Sequence, residues 1–251
     1  MNLDIHDALQ RFAPISLEEM SAVKLMNRID AKYVIPVRKL VPLLEDAASL
    51  YYAQCIEGER SARYHTVYLD TADHRMYYAH AVGRQVRQKI RVRTYEDTHD
   101  TFLEVKNKNN HGRTKKKRIA VPGVEQLGVE AADFLTAKSW YRLPQLQPHV
   151  ENHFERITLV NKAKTERLTI DLGIQFHNYE NQQDANLNHL VIIELKRDGL
   201  TPSPMLELFR KHRILPGGFS KYCIGCCLTN PQLKHNNFKE KLMRIERLKR
   251  I

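Results

Sequence analysis

Gln85, Arg87, Lys89, Arg91 and Arg93 occupy alternate positions of the chain, with Val86, Ile90 and Val92 among the residues between them. In a β-strand residues two apart share a face, so this spacing predicts a strand with one cationic side and one apolar side. Neighbouring cations on that side stand about 7 Å apart, a ridge that repels itself unless an anion neutralises it. Other segments repeat the device. Glu104 and Lys106 oppose Leu103 and Val105, Lys116 and Arg118 oppose Ile119, and Glu194 and Lys196 oppose Ile193 and Leu195. Arg28, Asp30 and Lys32 likewise oppose Ile29, Ala31 and Tyr33. A solvated sheet face ordinarily mixes signs and carries Ser, Thr and Gln. Cations gathered with a few carboxylates are instead groups that grip a polyanion and an accompanying divalent ion.

The whole chain shares that bias. Its 251 residues carry 40 Lys and Arg against 29 Asp and Glu, a formal charge of +11 that calls for an anionic partner. Hydrophobic residues at 42% and charged residues at 27% belong to a folded protein, which excludes disordered and collagen-like readings; the length allows one large domain or two small ones. No run approaches the roughly 18 to 20 apolar residues of a membrane span. The start, Met1 to His6, lacks a basic stretch followed by an apolar one, so a cytoplasmic location is expected. Cys223 and Cys226 form a C-x-x-C, but no second pair stands at a zinc-site spacing, so the cysteines are expected as buried helix residues.

Elements to position these groups are legible. Ser16 with Glu19 forms a capping box and predicts a short helix to about residue 25. Strands are predicted at 28–35, 64–70, 84–95, 101–106, 113–121, 153–162, 166–171 and 190–196, and helices at 37–50, 125–138, 202–212 and after Phe219. Turn-rich joins such as Asn109-Asn110-His111-Gly112 argue for antiparallel pairing. The fold class is α+β. Helices laid on the apolar face would leave the charged face as the inner wall of a closed eight-stranded antiparallel barrel.

Taken in order, Arg28-Ile-Asp-Ala-Lys32-Tyr33, Val67-Tyr68-Leu69-Asp70-Thr71, Lys89-Ile-Arg91-Val-Arg93, Phe102-Leu-Glu104-Val-Lys106, Lys116-Lys-Arg118, Arg156, Ile193-Glu194-Leu-Lys196 and Ser220-Lys221-Tyr222 resemble the catalytic domain of the VTC-type polyphosphate polymerases, members of the triphosphate tunnel metalloenzyme (CYTH-like) superfamily. The resemblance runs from about residue 26 to 222, within a single domain of residues 1–251 whose core is about 26–228. It implies a tunnel that binds ATP or another nucleoside triphosphate with Mn²⁺ or Mg²⁺ and extends inorganic polyphosphate. Arg91, Arg93, Lys32 and Arg156 would act at the reacting phosphates, while Arg28, Lys89, Lys106, Lys116, Arg118, Lys196 and Lys221 would bind substrate. Glu194 matches the metal-binding carboxylate; Glu104 is either a second one or an ion-pair partner for the basic wall. The register within Lys115–Arg118 is open. Hydrolytic branches begin with Glu-x-Glu-x-Lys where this chain has Arg28-x-Asp30-x-Lys32, which favours the polymerase branch. An inorganic triphosphatase and a non-catalytic polyphosphate-binding module stay as alternatives.

Nucleic acid is not expected, because reader motifs are absent and a duplex cannot enter a narrow tunnel. His149 and His153 stand four apart without the H-E-x-x-H order, and Pro148 argues against a helix there, so they support a metal site only weakly. The stretch 236–251 spaces Leu242, Ile245 and Leu248 as a helix among Lys and Arg, expected to pack near one tunnel mouth, with an anionic membrane or a partner as its other uses; a membrane-protein partner that carries product away stays open.

Overall fold

The computed structural model describes residues 3–21, 23, 28–111, 113–199 and 201–250. In chain order its strands are β1 (Ala13–Ile15), β2 (Arg28–Pro36), β3 (Tyr51–Gln54), β4 (Ala62–Asp70), β5 (Arg87–Tyr95), β6 (Asp100–Lys108), β7 (Thr114–Ala120), β8 (Gln147–Asn161), β9 (Glu166–Asn178), β10 (Asp184–Asn186) and β11 (Leu190–Asp198). The helices are α1 (Leu3–Gln10), α2 (Leu17–Ser21), α3 (Leu40–Ala47), α4 (Arg75–Ala81), α5 (Val129–Lys138), α6 (Pro204–Lys211), α7 (Lys221–Thr229) and α8 (Lys239–Lys249).

Every strand expected from alternation is present, and α2 begins with the expected capping box: the Ser16 and Glu19 backbone amides donate to each other's side chains at 3.0 and 3.1 Å. α1, α4 and the short β1, β3 and β10 were not anticipated. Eight strands follow one antiparallel path, β2-β11-β9-β8-β4-β5-β6-β7; β1 and β3 add a parallel pair at its margin. The closed barrel needs correction, because among the described residues β2 and β7 share no ladder. The sheet is curled nonetheless. Lys32 on β2 and Lys89 on β5, five places apart on the path, donate to the adjacent Phe219 carbonyl and Ser220 hydroxyl at 3.3 and 2.8 Å. A flat sheet would hold those strands roughly 24 Å apart. Register shifts at Tyr68/Leu69 and His153/Glu155 supply bends of the kind that β-bulges create.

The outer, convex face is apolar and covered as expected. Tyr33, Ile35, Ile157, Leu159, Leu168, Ile170, Ile193 and Leu195 bury against α1, α3 and α6, whereas Val67, Leu69, Ile90, Val92, Leu103 and Val105 bury against α5. α3 does this with Leu40, Leu43, Leu44 and Ala47, the helical spacing of its sequence. The inner face holds a surprise that alternation could not show. Past Lys32 it continues with Val34, and past Glu194 with Ile192 and Leu190; together with Tyr68, Val150 and Phe176 these form an apolar floor. α7 packs on this floor, with Tyr222, Cys223, Ile224 and Cys226 buried. The placement of all helices outside is therefore corrected: α7 occupies one end of the concave face because that end is apolar. The three clustered cysteines are buried residues of this helix, as expected. α8 packs through Ile245 beside the same cluster.

Candidate functional site

The polar half of the concave face is built from one residue parity on each strand. β5 and β6 align Arg91 with Glu104 and Lys89 with Lys106, and β7 adds Lys116 beside Lys106 and Arg118 beside Glu104. Opposite them, β2 and β11 align Lys32 with Glu194, and β8 and β9 align Arg156 with Asp171. The N-terminus of α7, capped by the Ser220 hydroxyl, brings Lys221 to the same place. The result is a trough walled by cations from strands far apart in sequence.

Glu104, Asp171 and Glu194 are each held by two cations. Glu104 is fully buried and receives Arg91 Nε at 2.7 Å and Lys116 Nζ at 2.9 Å, one on each oxygen. Asp171 takes Arg156 in a two-pronged contact at 2.6 and 2.9 Å and also accepts from Lys221. Glu194 lies between Lys32 and Lys196 at 3.6 and 3.5 Å, longer contacts that leave its oxygens less committed. Burial pulls all three carboxyls upward, and the cations outweigh it: Arg91, Arg93 and Lys116 at Glu104, Arg156 and Lys221 at Asp171, Lys32 and Lys196 at Glu194 hold each well below the usual carboxylate range.

Cations without such partners define the centre. Arg93 is buried over the Tyr64 and Phe154 rings and donates to the Thr66 hydroxyl at 3.1 Å. Among the described residues no carboxylate lies within ion-pairing distance of Arg93 or Lys106. Burial and the neighbouring Arg91 and Arg156 push the Arg93 guanidinium down from its ordinary value, and Arg91, together with burial, drives Lys106 well below its own. Burial likewise lowers Lys89 and Lys221, each to about 8. A site that strains cations toward neutrality is preorganised for an anion.

Residues 27–230 match the sequence model of the VTC domain. The chain belongs to the VTC domain family. Among solved structures, the VTC domain is similar to a proposed adenylyl cyclase from Hippeastrum, reported to have a dominant triphosphatase activity, at 16% identity and a TM-score of 0.51 over 83% of this chain and 99% of that one. A proposed adenylate cyclase from Vibrio parahaemolyticus aligns at 9% identity and a TM-score of 0.45 over 80% and 99%. At such identities the likeness concerns the fold. No curated protein matches the sequence.

Within this VTC domain the trough brings together Lys32, Lys89, Arg91, Arg93, Glu104, Lys106, Lys116, Arg156, Glu194, Lys196 and Lys221. Arg118 stands at the margin, exposed, stacked on Phe102 at 4.1 Å. Arg28 begins β2, but its side chain lies outside the described residues. Both oxygens of Glu104 are engaged at hydrogen-bond distance, 2.7 and 2.9 Å, closer than the cations at Glu194, a geometry that favours the ion-pair alternative for Glu104. Sequence reading missed Asp171, which anchors Arg156 and Lys221, and Thr66 and Phe154, which support Arg93 and the two anchored cations. A lone Asp inside Leu168-Thr-Ile-Asp171-Leu-Gly was the available signal. The donor set fits a hard divalent ion at one point: Glu194 offers carboxylate oxygens, and such ions commonly bind through one or two carboxylates plus substrate phosphates. Among the described residues no helix is long and apolar enough to cross a membrane.

Proposed function

We propose that this VTC domain is a polyphosphate polymerase that transfers the terminal phosphoryl of ATP or another nucleoside triphosphate to the end of an inorganic polyphosphate chain. The acceptor's terminal oxygen forms a bond to the γ-phosphorus, the bond from that phosphorus to the β,γ-bridging oxygen breaks, and the nucleoside diphosphate leaves with the electron pair. Arg93 and Lys106, lacking carboxylate partners, take the transferred group's oxygens; Arg91, held flat by Glu104, and Arg156, held by Asp171, offer oriented guanidinium donors. Lys32, Lys89, Lys116, Lys196 and Lys221 supply charge along the path of the chain, with Arg118 at its margin. Glu194 would hold Mn²⁺ or Mg²⁺, which when bound neutralises phosphate charge.

One observation carries the choice of transfer over hydrolysis. Glu104, Asp171 and Glu194, the carboxylates among the trough cations, are each depressed by at least two of them, so these three are not poised to take a proton from water near neutral pH. A polyphosphate end is already anionic and needs no base. The reading extends to one domain of residues 1–251 working in the cytoplasm, with a membrane-protein partner as a route for product. Incubation of the protein with ATP and Mn²⁺ tests it: polyphosphate and ADP are expected, and ADP with orthophosphate but no polyphosphate would favour the triphosphatase instead. Binding of polyphosphate without any turnover would favour the non-catalytic module.

A further inference from the structure

Away from the trough, the loop after β4, the start of β8 and the turn after β9 bring His74, His149 and Glu180 together. Their candidate ligand atoms all lie within 4.8 Å of one another. Main-chain carbonyls orient both rings: His149 Nε2 lies 2.9 Å from the Thr71 oxygen, and His74 Nδ1 lies 3.2 Å from the Ala72 oxygen. A carbonyl only accepts, so in the neutral imidazoles these contacts assign the protons to those nitrogens and leave His149 Nδ1 and His74 Nε2 as lone pairs. Both lone pairs then face one carboxylate, at 3.1 Å from Glu180 Oε1 and 3.4 Å from Glu180 Oε2.

Acceptors turned toward acceptors make no hydrogen bond. His149 is 1% exposed, and its Nδ1 is a buried nitrogen without a hydrogen-bond partner. Charging both imidazoles against a single carboxylate would set two like charges side by side, with ring centres 4.2 Å apart, and charging one leaves the other ring's lone pair still facing the carboxylate. A cation between the three groups satisfies them all. The fixing of a ligand histidine's tautomer by a carbonyl on its other nitrogen is the usual support around a metal. Glu180 is itself steadied, its Oε2 accepting from Asn230 Nδ2 at 3.2 Å.

We propose that His74 Nε2, His149 Nδ1 and the Glu180 carboxylate bind a divalent transition-metal ion of the zinc class, distinct from the oxygen-ligated ion of the trough. Two imidazoles and a carboxylate suit Zn²⁺ and leave a coordination position for water, whereas Mg²⁺ prefers oxygen throughout. Such an ion would tie the β4–α4 loop to β8 and to the β9–β10 turn. The same region seats α7: Asp70 at the end of β4 accepts from the Met76 and Tyr77 amides at 2.9 and 2.8 Å and from the Tyr222 hydroxyl at 2.6 Å.

A second cluster supplies the control. His65, Glu151 and His153 also lie within ligand range of one another, but Glu151 accepts from the Tyr179 hydroxyl at 2.6 Å and meets His65 at 2.8 Å, while His153 Nδ1 meets Glu96 at 2.9 Å, so its carboxylate already has donors. The test uses the untagged, chelator-stripped full chain titrated with Zn²⁺ or Co²⁺. One equivalent should bind and raise the unfolding temperature, and Co²⁺ should give a visible spectrum without a thiolate charge-transfer band. Glu180→Gln, at the accessible rim, and His74→Ala should weaken binding by more than the roughly 10–100-fold that supporting residues around a metal command, whereas His65→Ala should bind as the parent does. Circular dichroism checks that Glu180→Gln is folded. No binding by the parent chain, undiminished binding by Glu180→Gln, loss of binding in His65→Ala, or a thiolate band would each overturn the assignment.

Discussion

Asp171→Asn removes one charge, keeps the side chain's shape, and probes the trough where it is most tightly balanced. The Asp171 side chain is 5% exposed, and those of Arg156 and Lys221, which donate to it, are 16% and 11% exposed. An Asn amide turns an NH₂ toward at least one donor and leaves two buried cations uncompensated. Loss of one partner from a buried pair costs about 3–5 kcal/mol, and each kcal/mol lowers the midpoint of a chain this size by about 2–4 °C, so a fall of roughly 6–20 °C is expected. The sign with pH follows from the direction of the shift. Burial raises the Asp171 carboxyl, but Arg156 and Lys221 hold it well below its ordinary value. Its stabilisation is therefore complete above the unfolded carboxyl pKa of about 3.9 and is lost as pH falls through the folded value, so an assay at pH 7 reads all of it. The freed cations then become part of the anion site. Should the variant bind tripolyphosphate tenfold more tightly, saturation would restore about 1.4 kcal/mol, or roughly 3–6 °C more than in the parent. Thermal unfolding with and without tripolyphosphate measures both effects. A midpoint within about 2 °C of the parent, or a ligand shift no larger than the parent's, would refute the reasoning.

Lys106→Ala should leave the ligand-free midpoint unchanged or higher, because it relieves repulsion by Arg91 and Arg93, while weakening triphosphate binding by calorimetry; a drop of several degrees would contradict the absence of a partner. Arg91→Ala differs, since it leaves buried Glu104 with Lys116 alone, and should be less stable as well as inactive. Because burial pulls Lys89 and Lys221 down to about 8, triphosphate binding above that pH should take up protons and weaken; calorimetry at pH 8.5 in buffers of different ionisation enthalpy checks this, and equal heats would sink it. Gly225→Ala would place a Cβ 2.7 Å from the Phe176 ring beneath α7, an overpacking worth about 1–3 kcal/mol in denaturant unfolding, with an unchanged midpoint as the contrary result.

The trough was legible because a strand can hide nothing: alternate residues share a face, and Lys89, Arg91 and Arg93 had to lie on one side of β5 whatever strand lay next to it. Pairing was not legible in the same way. Arg91 meets Glu104 and Arg156 meets Asp171 only through the register of β5 with β6 and of β8 with β9, which no local spacing encodes. For that reason Glu104 read equally well as a metal ligand, and Asp171 was not read at all. α7 was missed as an inner element for a related reason. Lys32 and Val34 share a face, as do Glu194 and Ile192, so the change from charged to apolar along each strand becomes a floor only once neighbouring strands are aligned. His74, His149 and Glu180 lie still further from local pattern, coming from a loop, a strand start and a turn. Alternation thus locates charge, and register decides which charges cancel. On the proposed reading the distinction is functional: the cancelled pairs orient Arg91 and Arg156, and cations without a carboxylate partner, Arg93 and Lys106 among them, meet phosphate.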